Sequence, residues 1–568
     1  MRIQSTTEGG ILGRIQGYFV SLQTRYLPYD LAAYGLFSIL AILIVATFTH
    51  YGITWDEPLQ NNYGADIAKY YQMLLLHGIY MPPIDKAPNL TLYGGLYDTL
   101  VFPCNLLFRG HEFEARHFLN ALVGLLGIVG CWKVARFVAG PAVAFWAALL
   151  LSIMPRYYGA MFNNPKDIPF AVGYIWSIYF ILRFVEHLPS VPTDITIKLG
   201  LAIGTTLATR IGGLVLFGYL GLVIGVWLVV RIAREGFSKA ALRWALSAFA
   251  SAAQAACVAW LLMLLFWPWA QVRPLTRPFE AMRKFSHYDD WRGVLVFNGV
   301  MLHGPRPHVP RTYVLQWLFM TLPEIVLVGL AIGLIYIVWH LLAKGAREIR
   351  PDLWSGAILL LAAVFPIAYV IIQKSILYNA ERHVTFVLPP LACLAAWGGY
   401  SVFASLNGTG KKLATISVLA YLSFHVVTMV RLHPDEYVYF NQFVGGLKGA
   451  NGLYETDYWG NSYREAVHDL TQYVQTSGTP SRDGKYKVYI VYAFPACISY
   501  YLPKNFSLTT EPTEADFFIA NTSFRVDRSL DGRVIARVER FGVPLAVVKE
   551  LPAAEARRIA ANPAGSSF

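Results

Sequence analysis

Long apolar runs separated by short polar stretches set the pattern of this chain. Runs at 31 to 49, 117 to 138, 141 to 155, 168 to 186, 195 to 210, 213 to 230, 243 to 267, 312 to 341, 354 to 373, 384 to 404 and 412 to 431 predict eleven helices, since about 20 predominantly apolar residues cross a bilayer. The runs at 141 to 155 and 195 to 210 are short and predict tilted or partly buried pieces. Between the first two runs, Leu59 to His77 places Ile67, Ala68, Tyr71, Leu74 and Leu75 on one face, the pattern of an amphipathic helix lying along a membrane surface. Tyr80 to Tyr93 carries Pro82, Pro83 and Pro88 and reads as an irregular loop. After His433 the chain turns polar. Ser462-Tyr-Arg-Glu465 has the form of a capping box, and Lys487 to Tyr492, Phe517 to Ala520, Val534 to Val538 and Leu545 to Val548 have strand character.

The expected fold is therefore an α-helical polytopic membrane protein with about 11 transmembrane helices. A small C-terminal soluble α/β domain follows. The boundaries are 1–30 for an N-terminal segment, 31–432 for the membrane domain with long outer loops at 50–116 and 268–311, 433–551 for the α/β domain, and 552–568 for an Ala/Pro/Gly/Ser-rich tail expected to fray.

Composition supports this reading. Of 568 residues, 55% are hydrophobic and 14% charged, against about 25% charged in an ordinary globular chain. A net charge of +12 does not point to nucleic acid, because the basic residues fall largely between apolar runs. Arg2, Arg14 and Arg25, Lys133 and Arg136, Arg231 to Arg243, Lys344 to Arg350, and Lys411 with Lys412 share one side in an eleven-span count. That side is expected to be cytoplasmic. The N-terminus then lies inside, the C-terminal domain outside, and the first run serves as its own insertion signal. Of five cysteines, Cys104 and Cys497 alone lie outside the apolar runs, with no CxxC or framework spacing to predict a disulfide.

Candidate chemistry concentrates on the outer face. Asp56 and Glu57 follow the first run directly. An ionised carboxylate there suits removal of a proton from an acceptor hydroxyl or amine, and it equally suits capping of the helix that begins at Pro58. The second outer loop, Pro155 to Pro169, gathers Arg156, Asn163, Asn164, Lys166 and Asp167. Lys86, Arg116, Arg210, Lys374, Arg382 and His383 fall on the same side, against the cytoplasmic bias of Lys and Arg. A lipid-linked phosphate needs such partners. Tyr458 and Trp459 suit packing against the membrane domain, and secondarily an acceptor contact. His287, Asp289, Asp290, His303 and His308 lack metal-site spacing and suit a solvated loop. No cofactor is firmly implied, and a divalent cation stays open. There is no GxGxxG or Walker loop.

The acidic pair after span one, the amphipathic helix behind it, Asn164-Pro-Lys-Asp-Ile-Pro169, and Arg382-His-Val-Thr-Phe-Val-Leu-Pro-Pro390 before a late span together resemble the GT-C membrane glycosyltransferases. The likeness is greatest to the protein O-mannosyltransferase superfamily with its bacterial members and the aminoarabinose transferases of lipid A, over roughly 30 to 430. The resemblance implies a glycosyltransferase that draws a sugar from a polyprenyl-phosphate donor. It implies Asp56 as general base, Glu57 as its neighbour, Asp167 as a second acid, and Lys86 and Arg382 as phosphate ligands. Arg156, Lys166, Arg210 and His383 join that phosphate set on their position. The loop 268 to 311 is too short for a β-trefoil module, and 434 onward matches no assigned acceptor domain, so the acceptor is open among protein, lipid and glycan. A bacterial inner membrane, membrane lipids as neighbours and inverting transfer on the periplasmic face complete the expectation. The rival is a transporter or flippase of lipid-linked sugars, which would favour midplane charges and paired halves. Here the charges cluster at one face and no repeat is present.

Overall fold

The computed structural model describes residues 11–82, 90–286, 293–303, 309–344, 351–481 and 484–561. Helix forms in each of the eleven apolar stretches. Among the described residues eight helices are long and apolar enough to cross a membrane, so the chain is a multi-pass membrane protein. The stretch expected as one span over 312 to 341 is two helices, Tyr313–Thr321 and Glu324–Ile335, bent by 117°. Pro323 accounts for the break, because it has no N–H to donate and its ring clashes with the preceding turn. The two short pieces are helices of 12 residues, Pro141–Ser152, and 15 residues, Thr193–Leu207. Thr193–Leu207 packs closely on Lys239–Leu265, where a side chain at Gly200 or Gly204 would meet the Ala255 or Ala259 carbonyl. Small residues permit that approach where lipid supplies no hydrophobic drive. Asp167–Glu186 is the most enclosed of the eight spans, and it packs between Glu112–Ala139 and Thr193–Leu207.

The amphipathic helix forms as Asp56–His77, but its buried face differs from the expected one. Gln60, Tyr63, Gly64, Ile67 and Tyr70 point inward while Leu75 and Leu76 are exposed. Gly64 lies against the Asp98 backbone with no room for a Cβ, and this tertiary contact outweighs the apolar periodicity. Pro83 to Asn89 of the following loop, with Lys86, lies outside the described residues.

The loop 268 to 311 holds structure that its composition does not announce. A two-stranded hairpin, β1 (Val294–Phe297) and β2 (Val300–His303), turns through Asn298 and Gly299 at φ 52° and 77°. Asn-Gly suits such a turn because both central residues need positive φ. Residues 287–292 and 304–308 of the same loop, with His287, Asp289, Asp290 and His308, lie outside the described residues.

The C-terminal domain is a five-stranded mixed sheet of β3 (Tyr486–Ile490), β4 (Phe506–Thr509), β5 (Phe517–Asn521), β6 (Arg533–Arg540) and β7 (Val543–Glu550), in the order β4-β3-β5-β7-β6. β3 pairs in parallel with β4 and β5, and β7 runs antiparallel between β5 and β6. The helix Tyr463–Ser477 covers one face with Ala466, Val467, Leu470 and Val474. Its expected capping box does not form. Ser462 lies in helical backbone and donates its hydroxyl to Asp457, while Glu465 pairs with Arg540. Within the tail expected to fray, Pro552–Ala561 is a helix, and residues 562–568 lie outside the described residues. Cys104 and Cys497 are separately buried and unbridged.

This domain is sealed onto the membrane domain. The Asn461 amide oxygen accepts from Gly52 N and Asn163 Nδ2, each at 2.8 Å. Arg464 donates to the Thr49 and Tyr51 carbonyls, and Tyr500 donates to Glu114 at 2.8 Å. Gly52 has no space for a side chain beside the Asn461 backbone. The loop that carries Asp56 is thereby held from both sides.

Candidate active site

Thr54-Trp-Asp-Glu57 separates the two adjacent acids. Glu57 reaches back to accept from Thr54 N at 2.8 Å, the reciprocal half of a capping box, and pairs with His117 Nε2 at 2.9 Å. It is fully buried and turned away from the cleft. Glu57→Gln should leave turnover intact while lowering unfolding free energy by about 1–3 kcal/mol, because the buried partners lose a charged acceptor. Thermal denaturation alongside transfer activity measures both.

With Glu57 committed to the cap, Asp56 in the first turn of the same helix faces a cleft of about 240 Å³ between the membrane and C-terminal domains. Arg382 Nη2 donates to Asp56 Oδ2 at 2.6 Å, and Arg382 Nε donates to Asp167 Oδ2 at 3.3 Å. Arg210 Nη2 pairs with the other Asp167 oxygen. The result is one chain, Asp56, Arg382, Asp167, Arg210, assembled from four separate elements.

Each member is fixed by its local sequence. Asp167 opens its span, where a carboxylate favours the helix N-terminus, and Asn164 holds that turn by accepting from Asp167 N and donating to Asp167 Oδ2, both at 2.9 Å. Arg210 sits in the turn between Thr193–Leu207 and the span beginning at Ile211. Arg382 follows Asn379 and Ala380, whose φ values of 56° and 62° bend the chain inward. Left-handed backbone at Ala380 is uncommon and is retained where the surroundings over-determine it.

Lys166 completes the cationic side. Its Nζ lies 4.0 Å over the Tyr93 ring, and the Gln60 amide, turned so that its nitrogen donates to Asp98, accepts from it at 2.8 Å. Tyr93 is delivered by Gly94 and Gly95, which pass against the Ala208 backbone and the Phe266 carbonyl. Burial lowers the Lys166 pKa to about 8, with Arg210 and Arg382 adding to the effect and Asp56 opposing it. Burial would raise the Asp56 carboxyl, but Arg382, Lys166 and Arg210 overcome it and hold the group at about 2. Three cations against two carboxylates leave the cluster with positive charge in excess.

Of the residues expected in the site, Asp56, Lys166, Arg210, Arg382 and His383 line the cleft, and Asp167 lies beneath it. Arg156 does not. It is buried under the Trp317, Phe440 and Tyr458 rings, 3.5 Å from Glu381. Glu381 thus pairs with Arg156 and leaves Arg382 to the cleft. Tyr458 and Trp459 are buried behind the site, Trp459 with its ring 5.4 Å from the Arg382 guanidinium carbon. They pack rather than line. Tyr93, Tyr378, Tyr492 and Phe524 line the cleft unforeseen, since nothing in their local sequence marks them. Among the described residues no group of three or more His, Cys, Asp or Glu side chains is placed to hold a metal ion.

Residues 104–210, the stretch that contributes Arg156, Lys166, Asp167 and Arg210, match the family model described as dolichyl-phosphate-mannose-protein mannosyltransferase. The resemblance seen in the sequence is borne out there. Dolichyl-phosphooligosaccharide-protein glycotransferase 1 of Pyrococcus furiosus is 26% identical over 164 residues, which are 26% of this chain and 17% of that relative. The match thus spans a small part of the relative's length. Among solved structures, ArnT from Cupriavidus metallidurans bound to undecaprenyl phosphate is 16% identical with a TM-score of 0.48, covering 90% of this chain and 97% of that one. The archaeal oligosaccharyltransferase AglB from Archaeoglobus fulgidus, in complex with an inhibitory peptide and a dolichol-phosphate, is 12% identical with a TM-score of 0.46, covering 86% of this chain and 69% of that one.

Proposed function

We propose that the protein is a membrane glycosyltransferase that moves a sugar from a polyprenyl-phosphate donor to an acceptor on the periplasmic face of a bacterial inner membrane, inverting the anomeric centre. The observation that carries this is the convergence of Lys166, Arg210 and Arg382 on one cleft beside Asp56. The cations suit the donor phosphate, and forked Arg groups suit its oxygens. The acceptor oxygen or nitrogen attacks the anomeric carbon, the bond from that carbon to the phosphate oxygen breaks, and its electron pair leaves with the polyprenyl phosphate. Asp56 takes the acceptor's proton, and the cations stabilise the leaving charge.

The pairing at rest has a consequence for this cycle. With a pKa of about 2, Asp56 is a weak base while Arg382 holds it. A donor phosphate competes for Arg382, and as that contact weakens, burial raises the carboxyl toward a useful basicity. Donor binding thus prepares the base.

Lys166 sets the alkaline limit. It is charged below its pKa of about 8 and neutral above it, so donor affinity should fall as pH rises through that value. Donor KM measured from pH 6.5 to 9.5, with Lys166→Arg moving the fall to higher pH, checks this. The function itself is tested by comparing the glycolipids and glycoproteins of cells with and without the protein, together with transfer of radiolabelled sugar from polyprenyl-phosphate donors in their membranes. Labelled donor that crosses the bilayer with no sugar transferred would favour the flippase.

A further inference from the structure

Trp55 adjoins Asp56 in the chain and lines the same cleft. Its ring centroid is 6.1 Å from that of Phe524, and Phe524 is 6.4 Å from Tyr492, at interplanar angles of 40° and 38°. The three rings form a stepped ladder that begins at the acid. Trp55 is part-exposed, Phe524 is buried at 6% and Tyr492 is exposed at 53%, so the ladder reaches solvent at its Tyr492 end. Its two outer rungs belong to the C-terminal domain, for which the transferase reading has no other task.

Both rungs are held in place. Phe524 follows a loop in which Ser523 N donates to Asn521 Oδ1 at 2.6 Å and Thr456 N donates to Ser523 Oγ at 3.0 Å. Tyr492 has φ 50° without being glycine, a left-handed backbone that is uncommon for a bulky residue.

We propose that Trp55, Phe524 and Tyr492 form the acceptor subsite and that its ligand is a saccharide ring. This rests on the transferase reading. A pyranose presents an apolar C–H face, and aromatic rings carry a negative face that attracts it. In an inverting displacement the acceptor enters opposite the leaving group, and the ladder continues from Asp56 while Arg382, Arg210 and Lys166 hold the phosphate. The donor arrives from the bilayer, whereas the ladder opens to water. A peptide acceptor held by strand addition would need a free sheet edge. Tyr492 and Phe524 follow β3 and β5, which are both paired on two sides, so the edge offered to the cleft is that of the β1–β2 hairpin, whose Val294 lines it, and not one at the ladder.

Saturation-transfer NMR on the full chain in lipid nanodiscs tests this, with methyl glucoside, methyl mannoside, methyl galactoside and a Ser/Thr-containing octapeptide as probes. The ring C–H protons of at least one glycoside should be saturated by the wild type. Saturation should fall about fivefold in Tyr492→Gly, which removes the ring and relieves the backbone, and return in Tyr492→Trp. Phe524→Leu, a second variant that keeps the core filled, should show a similar loss. Undecaprenyl phosphate binding in the same samples should change by less than about twofold, since the half-exposed Tyr492 carries no charge for the phosphate and its ring packs on Phe524. No saturated glycoside, or equal saturation in wild type and Tyr492→Gly, would overturn the subsite. So would binding of the peptide alone, or displacement of the glycoside by undecaprenyl phosphate carrying the same sugar, which would put the ladder on the donor side. If the wild type fails to bind undecaprenyl phosphate while the glycoside result holds, the donor reading fails and the saccharide site stands.

Discussion

Asp56→Asn should reduce sugar transfer by about a thousandfold, midway in the range of about 10²–10⁴ that a positioned general base contributes. Undecaprenyl phosphate affinity should hold or rise, because the substitution frees Arg382 from its 2.6 Å ion pair. The amide keeps the shape of the carboxyl and can still accept from the guanidinium, so the fold is undisturbed. Asp56 is 26% exposed at its side chain, and no buried charge is orphaned. The opposite movements of turnover and phosphate affinity distinguish a base from a residue that merely places the phosphate. Steady-state kcat with a radiolabelled donor, beside equilibrium binding of undecaprenyl phosphate, reads both.

Arg382→Lys should cost about a hundredfold in kcat/KM, with the loss shared between KM and kcat. The guanidinium serves Asp56 through Nη2 and Asp167 through Nε at once, a geometry that a single ammonium cannot reproduce. Trp459 and Tyr378 flank it at 5.4 and 5.8 Å and favour a flat, weakly hydrated cation. A lysine there still pairs with a phosphate as a point charge, so binding survives in part. Initial rates over a range of donor concentrations separate the two effects. Arg156→Lys serves as the contrast. Arg156 lies outside the cleft beneath three aromatic rings, so its replacement should lower stability through lost packing and leave donor KM unchanged.

The membrane spans were legible because apolar length is a local property, readable one run at a time. The break at Pro323 escaped because the hydropathy of Tyr313–Thr321 and Glu324–Ile335 averages across it. Two local signals were present and passed over. Asn298-Gly299 marks a hairpin turn, and the Thr54-x-x-Glu57 spacing lets Glu57 accept from Thr54 N, which occupies Glu57 and leaves Asp56 to the cleft. The box seen at Ser462 fails because Asp457 competes for the hydroxyl, a partner that only the folded domain supplies.

The site was legible as a set of outer cations and acids but not as a geometry. Arg156 and Arg382 look alike in sequence, each beside an outer loop, and Glu381 could have paired with either. Packing decided it, by turning Glu381 toward Arg156. The joining of residues 56, 167, 210 and 382 depends on how four helix ends meet, which no spacing encodes. Tyr492 and Phe524 carry no motif. They enter the cleft because Asn461, Arg464 and Tyr500 lock the C-terminal domain onto the loop before Asp56.

The central claim is that this cleft transfers a sugar from a lipid phosphate with Asp56 as base. The most direct measurement is transfer of radiolabelled sugar from undecaprenyl-phosphate donors by the purified wild type and Asp56→Asn in the same nanodiscs. The account predicts labelled acceptor with the wild type and about a thousandfold less with the variant, at undiminished binding of undecaprenyl phosphate. Equal transfer by both proteins would contradict it.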